Sequence, residues 1–236
     1  MRRVTGAGVV AFSLLLVGCG GTGGPDPDPP GPTAPSPTVS PAQETPEPTV
    51  SSSGDARPAL EDLVLSTSGL GPLEIGEPPA ENSGAAMITW DAEHCEVLGE
   101  EYAEPGRWVP AGYEWDVVYS GEQAQPFYVD ATDEAVYRID VMSVSPATGE
   151  GIRIGSSLEE LQEAYPELEG PFEGPVSRVW WLQDEDGSLV FETQGEQDGL
   201  RPAGTPESVI LVRVLVPDYS PEFATANSGD VAGACF

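Results

Sequence analysis

Apolar positions along this chain fall mostly into short runs with strand spacing. Residues 136–144 alternate: Tyr137, Ile139 and Val141 point one way and Arg138 and Asp140 the other, the pattern of a strand with one buried and one wet face. Residues 87–90, 115–119 and 127–129 are short, aromatic and β-branched, and also predict strands. The runs 179–182 and 189–191 flank Asp184-Glu185-Asp186-Gly187-Ser188, where the Asp-Gly pair predicts a hairpin turn. Residues 209–216 are apolar on both faces except for Arg213, as a central, fully covered strand requires. Helical spacing occurs at 158–165, where Leu158, Leu161 and Tyr165 share a face. Ser156 with Glu159, or Ser157 with Glu160, supplies a capping box, and Pro166 stops the helix. The expected fold class is therefore α+β, a mainly antiparallel sheet with one or two short helices.

One internal echo interrupts this order. Leu73-Glu74-Ile75-Gly76 and Ile152-Arg153-Ile154-Gly155 share an apolar-charged-Ile-Gly pattern, each entered through glycines. The first copy continues into Glu77-Pro78-Pro79-Ala80-Glu81, which cannot repeat the helix that follows the second. A duplicated strand-turn-helix-sheet unit, degenerate in its first copy, is one reading; chance is the other.

The N-terminus reads as an address. Met1-Arg2-Arg3 precedes an apolar run at 9–17, broken only by Ser13, that falls short of the ~20 residues needed to span a bilayer. Residues 1–18 are thus expected to be a signal peptide. Leu16-Val17-Gly18-Cys19 resembles the lipobox of bacterial lipoproteins, with a branched apolar residue three before the cysteine and a small residue just before it. That resemblance implies that Cys19 carries a diacylglycerol and becomes the mature N-terminus on the outer, extracytoplasmic face of the cell membrane. Its acyl chains, at ~0.8 kcal/mol per buried CH₂, would hold the chain there. An ordinary secretory signal with a chance cysteine is the plainer alternative. Residues 19–58 are expected to form the anchor and a disordered tether, since proline alternates there with Gly, Ser, Thr and Asp and little remains to bury. Residues 59–236 are left for an acidic domain.

Charge narrows the partners. The chain carries 40 acidic residues against nine basic ones, a formal net charge of −31, and every basic residue is Arg. Such a surface repels nucleic acid and anionic headgroups. Solubility outside the cytoplasm explains the acidity most simply; a cationic partner or loosely held divalent ions are the alternatives.

Residues 154–166, Ile-Gly-Ser-Ser-Leu-Glu-Glu-Leu-x-x-x-Tyr-Pro, resemble the strand-turn-helix openings of small envelope lipoproteins. These include the β-lactamase-inhibitor-like repeat, the outer-membrane assembly lipoproteins and uncharacterised lipoproteins of high-GC Gram-positive bacteria. The resemblance implies action by protein–protein contact and carries no catalytic residues. Nor does a direct search for chemistry find any. His94 is the single histidine, which excludes a paired-histidine zinc motif. With Cys19 lipidated, Cys95 and Cys235 are the remaining cysteines, and outside the cytoplasm such a pair is expected to be a disulfide; a catalytic Cys95 beside His94 is the alternative. No Gly-x-Ser-x-Gly elbow occurs, and the glycine of Asp184-Glu185-Asp186-Gly187 comes too early for a calcium loop. Adjacent acids such as Glu100 and Glu101, or Glu159 and Glu160, are expected to be solvated. Trp180 and Trp181 point to opposite faces of one strand, so at most one is core and the other lies under the helix or forms a contact surface. No cofactor or metal is implied. The chain reads as a lipid-anchored extracytoplasmic binding or assembly module with a protein partner. The alternative is an envelope hydrolase that draws carboxylates from distant strands, which a deep cleft of converging acids would favour over a flat aromatic patch.

Overall fold

The structure, a computed structural model, describes residues 57–96, 106–196 and 201–235, all within the unit that spans 50–236. The leader, Cys19, nearly all of the tether, Glu100 and Glu101 lie outside the described residues. Strands run Val64–Ser66 (β1), Gly69–Leu70 (β2), Leu73–Glu74 (β3), Ile88–Asp91 (β4), Arg107–Pro110 (β5), Asp116–Val117 (β6), Gln123–Ala124 (β7), Phe127–Ala131 (β8) and Val136–Val141 (β9). Beyond them come Ala147–Thr148 (β10), helix Leu158–Ala164 (α1), Glu169–Glu173 (β11), Arg178–Gln183 (β12), Ser188–Gln194 (β13), Ser208–Leu215 (β14) and the single turn Thr225–Ser228 (α2).

Six strands form the main sheet in the order β11-β12-β13-β14-β9-β8, every neighbour antiparallel. A smaller sheet, β10-β1-β2-β3, contributes Leu65, Leu70 and Leu73 to one core with α1 and the inner face of the main sheet. Strand β14 occupies the centre and is buried from Val209 to Leu215, the position its two-sided apolarity predicts. The β12–β13 hairpin turns where the Asp-Gly pair stands. There Asp184 Oδ1 accepts the Asp186 and Gly187 N–H groups at 2.9 and 3.2 Å, and Oδ2 accepts the Thr67 hydroxyl at 2.7 Å. Its carboxylate is thus occupied by the turn and by the neighbouring β1–β2 loop.

Two corrections concern β9. Its Arg138 and Asp140 do point away from Ile139 and Val141, but they are buried rather than wet, because the C-terminal segment covers that face. Tyr137 does not face inward. The register passes from Ala131↔Val136 to Asp130↔Arg138, so Tyr137 has no partner; at this bulge Val136 fills the core, while the Tyr137 ring stacks on Tyr219 at 5.6 Å.

The two glycine-ended segments make matching contacts. Gly76 and Gly155 both take left-handed φ values, 81° and 92°, which favour glycine. The Gly76 N–H donates to Val136 O at 2.7 Å and the Val136 N–H to Glu77 O at 2.9 Å; the Gly155 N–H donates to Val209 O and the Val209 N–H to Ser156 O, both at 2.8 Å. Each segment thereby clamps the entry of a central strand, β9 in one case and β14 in the other.

Of the two capping boxes the sequence permits, the protein uses Ser157 with Glu160. Ser157 Oγ accepts the Glu160 N–H at 3.2 Å, and Glu160 Oε2 accepts the Ser157 N–H at 2.8 Å. Leu161 and Tyr165 are buried against the main sheet, where the Tyr165 ring lies 5.7 Å from Phe191. Replacing Ser157 with Ala is expected to cost about 1 kcal/mol in urea unfolding, with Ser156→Ala the milder change; equal losses would mean that the cap is shared.

Candidate functional site

The outer face of the main sheet carries charges where the inner face carries a core. Asp140 on β9 stands opposite Arg213 on β14, and both side chains are fully buried. Asp140 Oδ1 accepts Arg213 Nε at 2.6 Å, and Oδ2 accepts Arg213 Nη2 at 2.9 Å, Arg138 Nη2 at 2.7 Å and the Ala232 N–H at 2.9 Å. Burial by itself would raise the Asp140 carboxyl pKa, but the two guanidiniums outweigh it and hold the group below the usual carboxylate range. Arg213 and Arg138 in turn donate to the carbonyls of Phe223 and Asp230. The C-terminal segment is therefore fastened to the sheet mainly through polar atoms.

Two further acids hold the same segment. Asp130 Oδ1 accepts the Gly233 N–H at 2.7 Å, and Glu192 accepts the Thr225 and Ala226 N–H groups at 2.9 and 2.8 Å, where α2 begins. Burial pushes both carboxyls above their ordinary values despite these donors. At the far end of the segment Cys235 is bonded to Cys95, with Cα atoms 5.5 Å apart at a sequence separation of 140. His94, beside this staple, is exposed, with Nδ1 3.6 Å from the Asp91 carboxylate.

Above the two arginines the segment leaves a groove of about 430 Å³ whose walls include Phe172, Leu215, Tyr219 and Phe223. Phe172, Tyr219 and Phe223 are each almost half exposed, at 48%, 47% and 46%. The guanidinium carbons of Arg213 and Arg138 sit 5.6 and 6.0 Å from the Phe223 ring centre, so the groove's floor is a neutralised ion-pair cluster and its walls are aromatic. These three aromatics are each flanked in sequence by Pro, Glu, Asp, Ser or Ala, with no periodic signal to mark them. Arg213 itself was the available signal: a cation inside an otherwise apolar central strand needs a buried counter-charge.

Trp180 and Trp181 do occupy opposite faces. Trp180 is buried in the main core, and its Nε1 donates to Thr193 Oγ1 at 3.0 Å, so it presents no contact surface. Trp181 is half-buried on the outer face against Val179, Val190, Leu215 and Ala224, away from α1. Among the described residues no group of three or more His, Cys, Asp or Glu is placed to hold a metal ion. The acids that do converge, Asp130, Asp140 and Asp230, converge on Arg138.

No family model matches the chain, and no curated protein does. A crystal structure of the uncharacterized protein yfeY from Escherichia coli is similar at 16% identity and a TM-score of 0.38, over 64% of this chain and 99% of that one. A likeness of that size carries no argument about fold or function.

Asp140→Ala is expected to destabilise the domain by about 3–5 kcal/mol, because it strands two buried guanidiniums. The pH dependence has two signs. The depressed Asp140 pKa gives stability that is present above its unfolded value and lost as pH falls through the folded one. The raised Glu192 pKa gives stability that is present below its unfolded value and lost as pH rises through the folded one. Urea unfolding at about pH 4 and about pH 7 should therefore show Glu192→Gln gaining on the wild type as pH rises through the glutamate range. Reducing the disulfide should lower the melting temperature by roughly 10 °C or more, since closing so long a loop is worth up to about 5 kcal/mol in the chain-entropy model.

Proposed function

We propose that the chain is a lipid-anchored extracytoplasmic module that binds a protein partner. In this reading Cys19 carries the lipid and residues 20–58 are the tether. The aromatic groove above Arg138 and Arg213 is the contact surface. The observation that carries the reading is the contrast on the outer face: its buried acids are saturated by guanidinium and backbone donors, while Phe172, Tyr219 and Phe223 stay exposed around one groove. The alternative, a hydrolase, needs a carboxylate free to act on a substrate, and at this groove Asp140 and Asp230 are held by Arg138 and Arg213. Exposed aromatics clustered around one groove are instead among the side chains that dominate protein interfaces.

The module is also proposed to be a duplication. Asp140 lies four residues after the clamped Val136, and Arg213 four after the clamped Val209. A two-fold axis through the Asp140↔Arg213 pair exchanges Ile139↔Val214 with Val141↔Val212, and exchanges the two glycine clamps. The acid and the base that neutralise each other would then be divergent copies of one position.

Metabolic labelling tests the anchor: the wild type should incorporate labelled palmitate, and Cys19→Ala should lose both the label and the membrane fraction. A mature terminus elsewhere, without label, would refute it. Photo-crosslinkers placed at Tyr219 and at Glu163 on α1 test the surface. A discrete adduct from Tyr219, absent from Glu163 and abolished by Phe223→Ala, is expected; adducts from both positions alike would contradict it.

A further inference from the structure

We propose that a second cavity, between the β4–β5 hairpin and the C-terminal segment, is a binding site for a neutral polyhydroxylated ligand, a saccharide. It measures about 340 Å³, within the range of roughly 300–1,000 Å³ typical of small-molecule clefts. It adjoins the aromatic groove, with which it shares Asp230, and depends on neither the lipid anchor nor a protein partner.

Aromatic faces form one side. Trp90 and Trp108 are cross-strand partners with ring centres 5.8 Å apart at 64°, and both line the cavity with Tyr137, which the β9 bulge turns away from the core. Trp90 is 51% exposed, a large indole left half in water at a cavity mouth. Gly106 makes room for it: a Cβ there would fall 2.1 Å from the Trp90 ring, so the indole lies directly on bare backbone. The Nε1–H of Trp108, one of the lining residues, is buried and has no hydrogen-bond partner.

The polar lining is mixed in kind, two carboxylates against one guanidinium, and its charge is balanced by Arg138 behind it. Asp130 and Asp230 supply acceptors, Arg107 a guanidinium and Thr132 a hydroxyl. Arg138 holds both carboxylates, at 3.5 Å to Asp130 and 2.9 Å to Asp230, and Arg107 Nε donates to Ala234 O at 3.3 Å. Counting the buried pair behind them, three carboxylates (Asp130, Asp140, Asp230) meet three guanidiniums (Arg107, Arg138, Arg213), a neutral patch on a chain of net charge −31. An anionic ligand would meet two lining carboxylates and the field of the whole chain, and a cation would have to displace Arg138 from Asp130 and Asp230. A ligand with apolar C–H faces for the indoles, and hydroxyls that both donate and accept, fits every group without disturbing the ion pairs.

Tryptophan fluorescence of the full chain tests the site, with maltotriose, cellotriose and the N-acetylglucosamine trimer as neutral probes and tetramethylammonium chloride and sodium phosphate as charged ones. A saturable change is expected with at least one saccharide, roughly in the millimolar range, and none with the charged probes. Trp90→Ala should weaken that binding by about tenfold or more, and Gly106→Ala, which displaces the indole without removing it, should weaken it too. Trp115→Ala, at an indole that is 61% exposed outside the cavity, should leave affinity unchanged. Circular dichroism should show all three variants folded. The proposal is overturned if no saccharide gives a saturable response, if Trp90→Ala and Gly106→Ala both bind as the wild type does, or if tetramethylammonium binds more tightly than any saccharide.

Discussion

A carboxylate with no exposed surface, Asp140, decides how this domain is closed. Taking one ion out of water costs several kcal/mol, and the cost is offset only where geometry and hydrogen bonding are nearly complete. Here they are: Arg213, Arg138 and the Ala232 backbone supply the donors, and the arginines extend the same network to Phe223, Thr225 and Asp230. The segment that covers the outer face is rich in Gly, Ala, Ser and Asp and has few apolar side chains to offer. Only Ala224 joins the small cluster around Val179, Val190 and Leu215. Electrostatic closure therefore stands in for a second hydrophobic core, and the disulfide fixes the end of the segment just beyond the Asp130–Gly233 contact.

The same constraint shapes both candidate binding regions. Arg138 and Arg213 form the floor of the aromatic groove, while Arg138 also holds the two acids that line the neighbouring cavity. Neither arginine has an exposed side chain, so their charge serves the fold first and colours the surface second. For function this means that a strongly acidic chain presents a locally neutral, aromatic face. Such a face suits recognition by shape and stacking more than long-range steering.

Much of the fold was legible wherever local pattern and burial agree. Residues 179–182 and 189–191 are strands with the hairpin turn between them, 209–215 of the expected 209–216 form β14, and the Ser157–Glu160 box starts the helix. Legibility failed for β11, Glu169–Glu173, an exposed edge strand containing Gly170 and Pro171, which owes its assignment to β12 rather than to its own propensity. It failed more instructively at 136–144. Alternation separates two faces but cannot tell water from a distant polar segment, so Arg138 and Asp140 read as solvated when residues some ninety positions away bury them. The candidate site was less visible still, because Phe172, Tyr219, Phe223 and the Trp90–Trp108 pair converge only through tertiary structure.

Native-state hydrogen exchange tests the electrostatic closure most directly. If Asp140 and its arginines hold the C-terminal segment as an integral layer, the amides of Ala232 and Gly233 should be protected to nearly the level of Val212 and Val214, and Asp140→Ala should lower tail protection more than sheet protection. Exchange of Ala232 and Gly233 at the rate of an unstructured segment, in a wild-type sheet that stays protected, would contradict it.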